Sequence, residues 1–302
     1  MKRIVASLVA FSMIFSMSIV TFADEKTDEV FLNEYDYIVS IKESSSSELA
    51  EKGITLAEAN HIVAEYDREL SERALMPEEQ LYGLGYSASD IQMLRKYAKS
   101  GVLTETEMRA ISASCDGRIT SSYMDGQEVI FKYSWTWDKS PMVVGNDAIG
   151  VEWIAYNNTT SMGVRKKSDT FKVEYYYGNT LDSTGSGSKK SIVHDNVVAY
   201  GFDVAKTTTS STGDIVYAYA KKGYLEVDLV VPSTSTSNIS YIAVGGIYGH
   251  STILGISPSL SVDASGISLS FSDTRGVDDV APAKVHIEKG TTYRRPHVID
   301  QL

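Results

Sequence analysis

The chain has 302 residues, 43% hydrophobic and 22% charged, with 28 basic against 39 acidic side chains and a net charge of −11. An acidic balance of this kind repels nucleic acid and anionic lipid at long range and argues against a nucleic-acid partner. Cys115 is the single cysteine, so no intrachain disulfide can form and stability must come from an ordinary packed core.

In chain order, Lys2 and Arg3 precede an apolar run from Ile4 to Val20, and Thr21-Phe22-Ala23 leads into an acidic stretch. That layout predicts a signal peptide over 1–23, with Asp24 as the mature start. An uncleaved anchor is the competing reading, and the run is about as long as a short spanning helix. The C-terminal TTYRRPHVIDQL carries no apolar tail, so the expected location is secreted and extracellular, or loosely wall-associated. Residues 24–114 hold 19 acidic and 9 basic side chains, while 115–302 hold 20 and 17. The shift in charge coincides with a change in hydrophobic period and predicts two domains.

From Phe31, apolar residues recur at Tyr35, Ile38 and Ile41, the spacing of one helix face. A phrase then repeats at an offset of 32: Leu49, Gly53, Ile54 and Thr55 match Leu81, Gly85, Tyr86 and Ser87. Each glycine suits the left-handed residue that ends a helix, with Ile54 or Tyr86 packing back on Leu49 or Leu81. Thr55 with Glu58, and Ser87 with Asp90, have capping-box spacing, and Gly101, Thr104 and Glu107 form a looser third copy. His61 aligns with Met93 and reads as a packed helix-face residue rather than a metal ligand.

Beyond Cys115 the period becomes two. EVIFKYSWTW puts Val129, Phe131, Tyr133, Trp135 and Trp137 on one face, and GYLEVDLVVP does the same for Leu225, Val227, Leu229 and Val231. VEWIAY, FKVEYYY, VVAYGFDV, DIVYAYA and ISYIAVGGIY are further strands, about ten in all, suited to a sandwich or jelly roll. The Ser/Thr/Gly-rich DSTGSGSKKS, KTTTSSTGD and STSTSN segments read as solvated loop tips. In ISPSLSVDASGISLSFS, the Asp263–Gly266 turn leaves strands of about seven or eight residues, short of the roughly nine to eleven that cross a bilayer. This hairpin is expected to be structural, with a β-pore as the alternative.

Glu226 and Asp228 point the same way about 6.6 Å apart, within reach of separations used on glycosidic bonds, and are the weak catalytic candidates. A solvated strand face is the simpler reading. His194-Asp195 and His250-Ser251 supply triad ingredients without a G-x-S-x-G elbow, and no zinc or phosphate-binding signature accompanies them. Trp135, Trp137 and Trp153 read as core. Tyr176, pointing opposite Tyr175 and Tyr177, and His250 are the candidate ligand-binding residues. No metal or cofactor is expected.

SWTWDKSP at 134–141, IYGHS at 247–251 and the serine-alternating hairpin resemble a group of uncharacterised secreted β-rich proteins of Gram-positive bacteria. Over about 160 residues, the resemblance implies export and a β-rich fold and assigns no activity. The expected fold is α+β: a small helical N-terminal domain over 24–114, an all-β sandwich or jelly-roll-like domain over 115–290, and a C-terminal tail over 291–302. The expected function is an extracellular binding module for a cell-wall or host glycan or a protein. A pore-forming protein and a glycan hydrolase are the alternatives.

Overall fold

The structure, a computed structural model, describes residues 30–157, 160–189, 195–209, 213–233, 235, 238–252, 260–262, 269–271 and 277–288. The signal-peptide segment, His194 and the tail over 291–302 lie outside the described residues. Strand β1 (Val30–Asn33) comes first, followed by helices α1 (Glu34–Glu43), α2 (Ser46–Glu51), α3 (Leu56–Leu75), α4 (Glu78–Gly83), α5 (Ala88–Ser100) and α6 (Glu105–Ile111). The chain then runs through β2 (Ser114–Met124), β3 (Glu128–Trp137), β4 (Asn146–Asn157), β5 (Thr160–Met162), β6 (Arg165–Tyr177), β7 (Thr180–Gly185) and β8 (Ser188–Lys189). It closes with β9 (Val197–Asp203), β10 (Ala205–Thr209), β11 (Ile215–Val230), β12 (Tyr241–Ser251), β13 (Leu260–Val262), β14 (Leu269–Phe271) and β15 (Val277–Glu288).

The fold is α+β, with a helical unit and two large antiparallel sheets. The first sheet runs β1-β2-β3-β11-β6-β7, with β10 also on β11, and the second runs β15-β12-β4-β9-β8, with β5 on β4. Their inner faces meet in one core. Val129, Phe131, Tyr133, Trp135 and Trp137 are all buried there, as are Leu225, Val227 and Leu229 from β11 and Trp153 from β4. Alternation causes this directly, since every second side chain of a strand leaves the same face. Each such side chain contributes about 2 kcal/mol relative to exposure.

The repeated phrase forms the corners it predicts. Gly53 and Gly85 take φ of 67° and 89°, a region that a side chain disfavours. Ile54 N donates to Leu49 O at 2.8 Å and Gly53 N to Ala50 O at 3.0 Å. Tyr86 N and Gly85 N repeat the pattern to Leu81 O and Tyr82 O. These are the paired bonds of a Schellman stop, and Leu49, Ile54, Leu81 and Tyr86 are buried together. Capping boxes close on Ser45–Glu48, Thr55–Glu58, Ser87–Asp90 and Thr104–Glu107. Each satisfies two backbone donors that a helix start leaves open.

Two elements depart from the sequence reading. Helix α1 begins at Glu34 rather than near Phe31, because Val30–Asn33 pairs with Ser114–Gly117 and Asn33 caps the helix. DIVYAYA and GYLEVDLVVP are one strand, β11, with a register shift between Ala220 and Lys222. The bulge changes the phase of the alternation and hides the continuity. Gly223 follows it because any Cβ there would overlap the Trp135 ring.

The serine-rich hairpin is seen through its paired backbone: Leu260–Val262 lies antiparallel to Leu269–Phe271, and β14 runs beside β4, β12 and β15. No helix among the described residues is long and apolar enough to cross a membrane.

Candidate functional site

The segment 138–144, which ends SWTWDKSP and continues as MVV, lies between the helical unit and the sandwich. Its backbone is bonded from both sides. From α3, the buried Arg73 guanidinium donates to Ser140 O at 2.8 Å, Pro141 O at 2.7 Å and the Tyr86 hydroxyl at 2.9 Å, while its Nε donates to Glu69 at 2.9 Å. From α1, the buried Glu34 carboxylate accepts from Met142 N at 2.8 Å and Val143 N at 2.9 Å. Burial pushes the Glu34 carboxyl up, and the Val143 and Met142 N–H groups and His250 partly oppose it. Lys139 Nζ reaches Ala110 O at 2.9 Å, and Ser140 N donates to Leu84 O at 2.8 Å.

From the sandwich side, IYGHS enters the same strap. His250 Nε2 lies 3.0 Å from Val143 O, which can only accept, so Nε2 carries the proton. His250 Nδ1 lies 2.9 Å from Asp147 Oδ1, which also accepts from Ser251 N at 3.2 Å. The Tyr248 hydroxyl donates to the other Asp147 oxygen and accepts from Trp137 Nε1 at 2.9 Å. SWTWDKSP and IYGHS thus meet in space, where they join the helical unit to the sandwich.

Next to this strap lies a cavity of about 420 Å³, walled by α3 and α4 on one side and by β11 on the other, and open to solvent. Ile215, Tyr217 and Tyr219 occupy alternate positions of a regularly paired stretch of β11 and so share one face. Their exposures are 75%, 63% and 1%. An apolar stripe therefore begins under the helical unit and runs out into water. Gly85 sits over the Tyr219 tip, where a Cβ would come within 2.6 Å of the hydroxyl. That hydroxyl is buried with no hydrogen-bond partner among the described residues. Burial pushes its pKa up, so it stays protonated. The α3 rim is charged but mutually paired: Arg68 bonds Glu65 at 2.5 Å and also Glu72, and Arg73 bonds Glu69. The Arg68 hydrogen bond holds Glu65 below the usual carboxylate range.

Of the candidate site residues singled out in the sequence, Glu226, Asp228 and Tyr176 lie away from this cavity, and His250 lies in the strap. Glu226 pairs with Lys132 at 3.0 Å and Asp228 with Lys167 at 3.1 Å, in a ladder of charges along the first sheet. Neither lines the seam cavity. Tyr176 is half-buried, donates to Glu174 at 3.1 Å and lies beside Lys221 and Lys222. His250 is buried in the bonding cluster of the strap rather than presented at a surface, because β12 is a central strand flanked by β4 and β15. His61 is exposed at the cavity rim rather than packed. Cys115 is buried, and desolvation with nearby Asp147, Asp116 and Asp138 pushes its thiol well up, which makes it inert. Among the described residues no cluster of His, Cys, Asp and Glu has the makings of a metal site.

The sequence reading passed over Ile215, Tyr217 and Tyr219. A signal existed: IVYAYA is apolar on both faces, with Val216, Ala218 and Ala220 between the three. A strand of that kind has to be covered on both sides or leave an apolar face in water.

No protein-family model matches the chain, and no curated protein matches its sequence. Among solved structures, the chain is similar to AvmM, which catalyses macrocyclization in alchivemycin A biosynthesis. The identity is 11% and the TM-score 0.26, over 58% of this chain and 89% of that one. It is also similar to ACE19, the collagen-binding subdomain of the Enterococcus faecalis surface protein ACE. Here the identity is 8% and the TM-score 0.23, over 51% and 85% of the two chains. TM-scores this low transfer no activity, so the site stands on its own residues.

Proposed function

We propose that the protein is a secreted binding module that holds a partner protein at the seam between its helical unit and its sandwich. Export is supported by the basic pair and apolar run at 2–20. The observation that carries the binding site is the apolar stripe Ile215-Tyr217-Tyr219, which leaves a covered floor and continues exposed along a cavity. Concave apolar sites with few polar groups are where ligands bind. A protein fits better than a glycan, because the α3 rim charges already satisfy one another and the exposed stripe is led by Ile215 and Tyr217, whereas a sugar carries many hydrogen-bonding groups to satisfy. Glycan hydrolysis at Glu226 and Asp228 is disfavoured by their separate lysine partners.

The test is selection from a random dodecapeptide library on the immobilised full chain. Enriched peptides are expected to share a large apolar side chain and to be lost on an Ile215→Ser/Tyr217→Ser chain. Both positions are exposed, so the variant is expected to fold normally. Equal enrichment on the variant, no enrichment, or retention of purified wall polysaccharide in its place would refute the proposal.

A further inference from the structure

Resting on the binding reading above, we infer that the partner docks as an extended strand, added to the edge that β11 leaves open at Ile215–Tyr217. The ladder shows the opening. Ala220 N donates to Val204 O at 2.7 Å, and the β10–β11 register continues from Ala205 opposite Tyr219 to Thr209 opposite Ile215. Successive residues of an antiparallel strand turn their backbone groups to alternate sides. Ala220, Ala218 and Val216 therefore bond toward β10, while Tyr219, Tyr217 and Ile215 present N–H and C=O to the opposite edge. On that edge β6 meets Tyr219 through Tyr176 and goes no further along β11. Among the described residues, the Tyr217 and Ile215 backbone groups that face it have no partner.

An open edge is a template for another strand, and proteins commonly guard such edges with polar or charged side chains. β7, which ends the same sheet, follows that rule with Asp182 and three hydroxyls in TLDSTG. The β11 edge does not, since Ile215 and Tyr217 are exposed there. Both also line the seam cavity with Tyr177, the last residue of β6, so the open end of the ladder and the cavity adjoin. Strand addition uses both features: main-chain hydrogen bonds supply affinity, and alternate side chains enter pockets. Partner residues opposite Ile215 and Tyr217 share their face, which the Met76, Leu84 and Met142 side of the cavity lines with apolar surface. The occupant is therefore an extended segment with large apolar side chains at every second position. A foreign segment fits better than a second copy of this chain, because two copies would each bring a net charge of −11.

The test is amide hydrogen exchange of the full wild-type chain, read residue by residue by NMR, alone and with the most enriched dodecapeptide of the selection above. In the free chain the Ile215 and Tyr217 amides are expected to exchange at least about tenfold faster than those of Val216 and Ala218, which bond to β10. Saturating peptide is expected to slow Ile215 and Tyr217 by about tenfold or more. Methylating single backbone nitrogens of the peptide should weaken binding about fivefold at alternate positions and leave the intervening ones unchanged, the size of one lost hydrogen bond in every second residue. Slow exchange at Ile215 and Tyr217 in the free chain would show the edge already covered, by this chain or by a second copy, and would overturn the inference. So would a bound peptide that leaves those two amides fast, or one whose methylation shows no alternation. These results would leave the seam as a docking surface, whereas an empty selection would remove the binding reading and this inference with it.

Discussion

The strap at 138–144 and the cavity beside it share one seam and differ in a single respect. In the strap, Arg73, Glu34, Lys139 and His250 answer the backbone groups that the helical unit and the sandwich bury between them. In the cavity, Ile215 and Tyr217 stand 75% and 63% exposed on a face whose third member, Tyr219, is covered. The strap is buried, whereas the cavity is open to solvent. Covering separates them: a closed network holds the structure together, and the uncovered apolar face beside it is where the proposed partner docks.

The contrast breaks most visibly at Arg73. Arg73→Met leaves two backbone carbonyls, the Tyr86 hydroxyl and Glu69 short of a partner at once. Urea unfolding is expected to show a loss of about 3–5 kcal/mol, the scale of a buried ionic network missing one member. A loss under about 1 kcal/mol would mean that the strap does not carry the seam.

Asp169 gives a second closed network with a pH signature. Its buried carboxylate is bonded by Lys166, by Lys189 Nζ at 2.6 Å and by the Tyr200 hydroxyl at 2.5 Å. Burial raises its pKa, and the hydrogen bonds from Lys166, Lys189 and Tyr200 outweigh that, leaving it at about 2. Because the folded value lies below the unfolded one, the stabilisation is present above about pH 4 and is lost as the pH falls toward 2. Wild-type stability is expected to drop by about 2 kcal/mol across that window, and an Asp169→Asn chain should lack this part of the slope. Parallel slopes for the two chains would show that Asp169 is not held as described.

Much of the architecture was legible in the residues. Helix corners at Gly53 and Gly85 follow from local rules, since cap, stop and packing contact lie within a few positions. The β3 face from Val129 to Trp137 follows from alternation alone. β1 was not legible, because its partner Ser114–Gly117 is some 80 residues away and a four-residue strand has no period of its own. β11 reads as two strands because a bulge interrupts the phase. The site was less visible still. Glu226, Asp228, Tyr176 and His250 carry suggestive chemistry, yet their partners, which sequence does not reveal, tie them into ladders and clusters. Ile215 and Tyr217 read as ordinary strand, and their distinction is exposure along a cavity that forms only once α3 and α4 come to lie beside β11.

The smallest expected effect is the most telling. Thermal unfolding of the wild-type and Ile215→Ser/Tyr217→Ser chains, each with and without a selected peptide, tests the seam directly. Without peptide the two stabilities are expected to agree to within about 0.5 kcal/mol, because both positions are exposed. With saturating peptide the wild-type midpoint should rise further than that of the variant, through preferential binding to the folded state. A variant raised by the peptide as much as wild type would remove the docking surface from the seam.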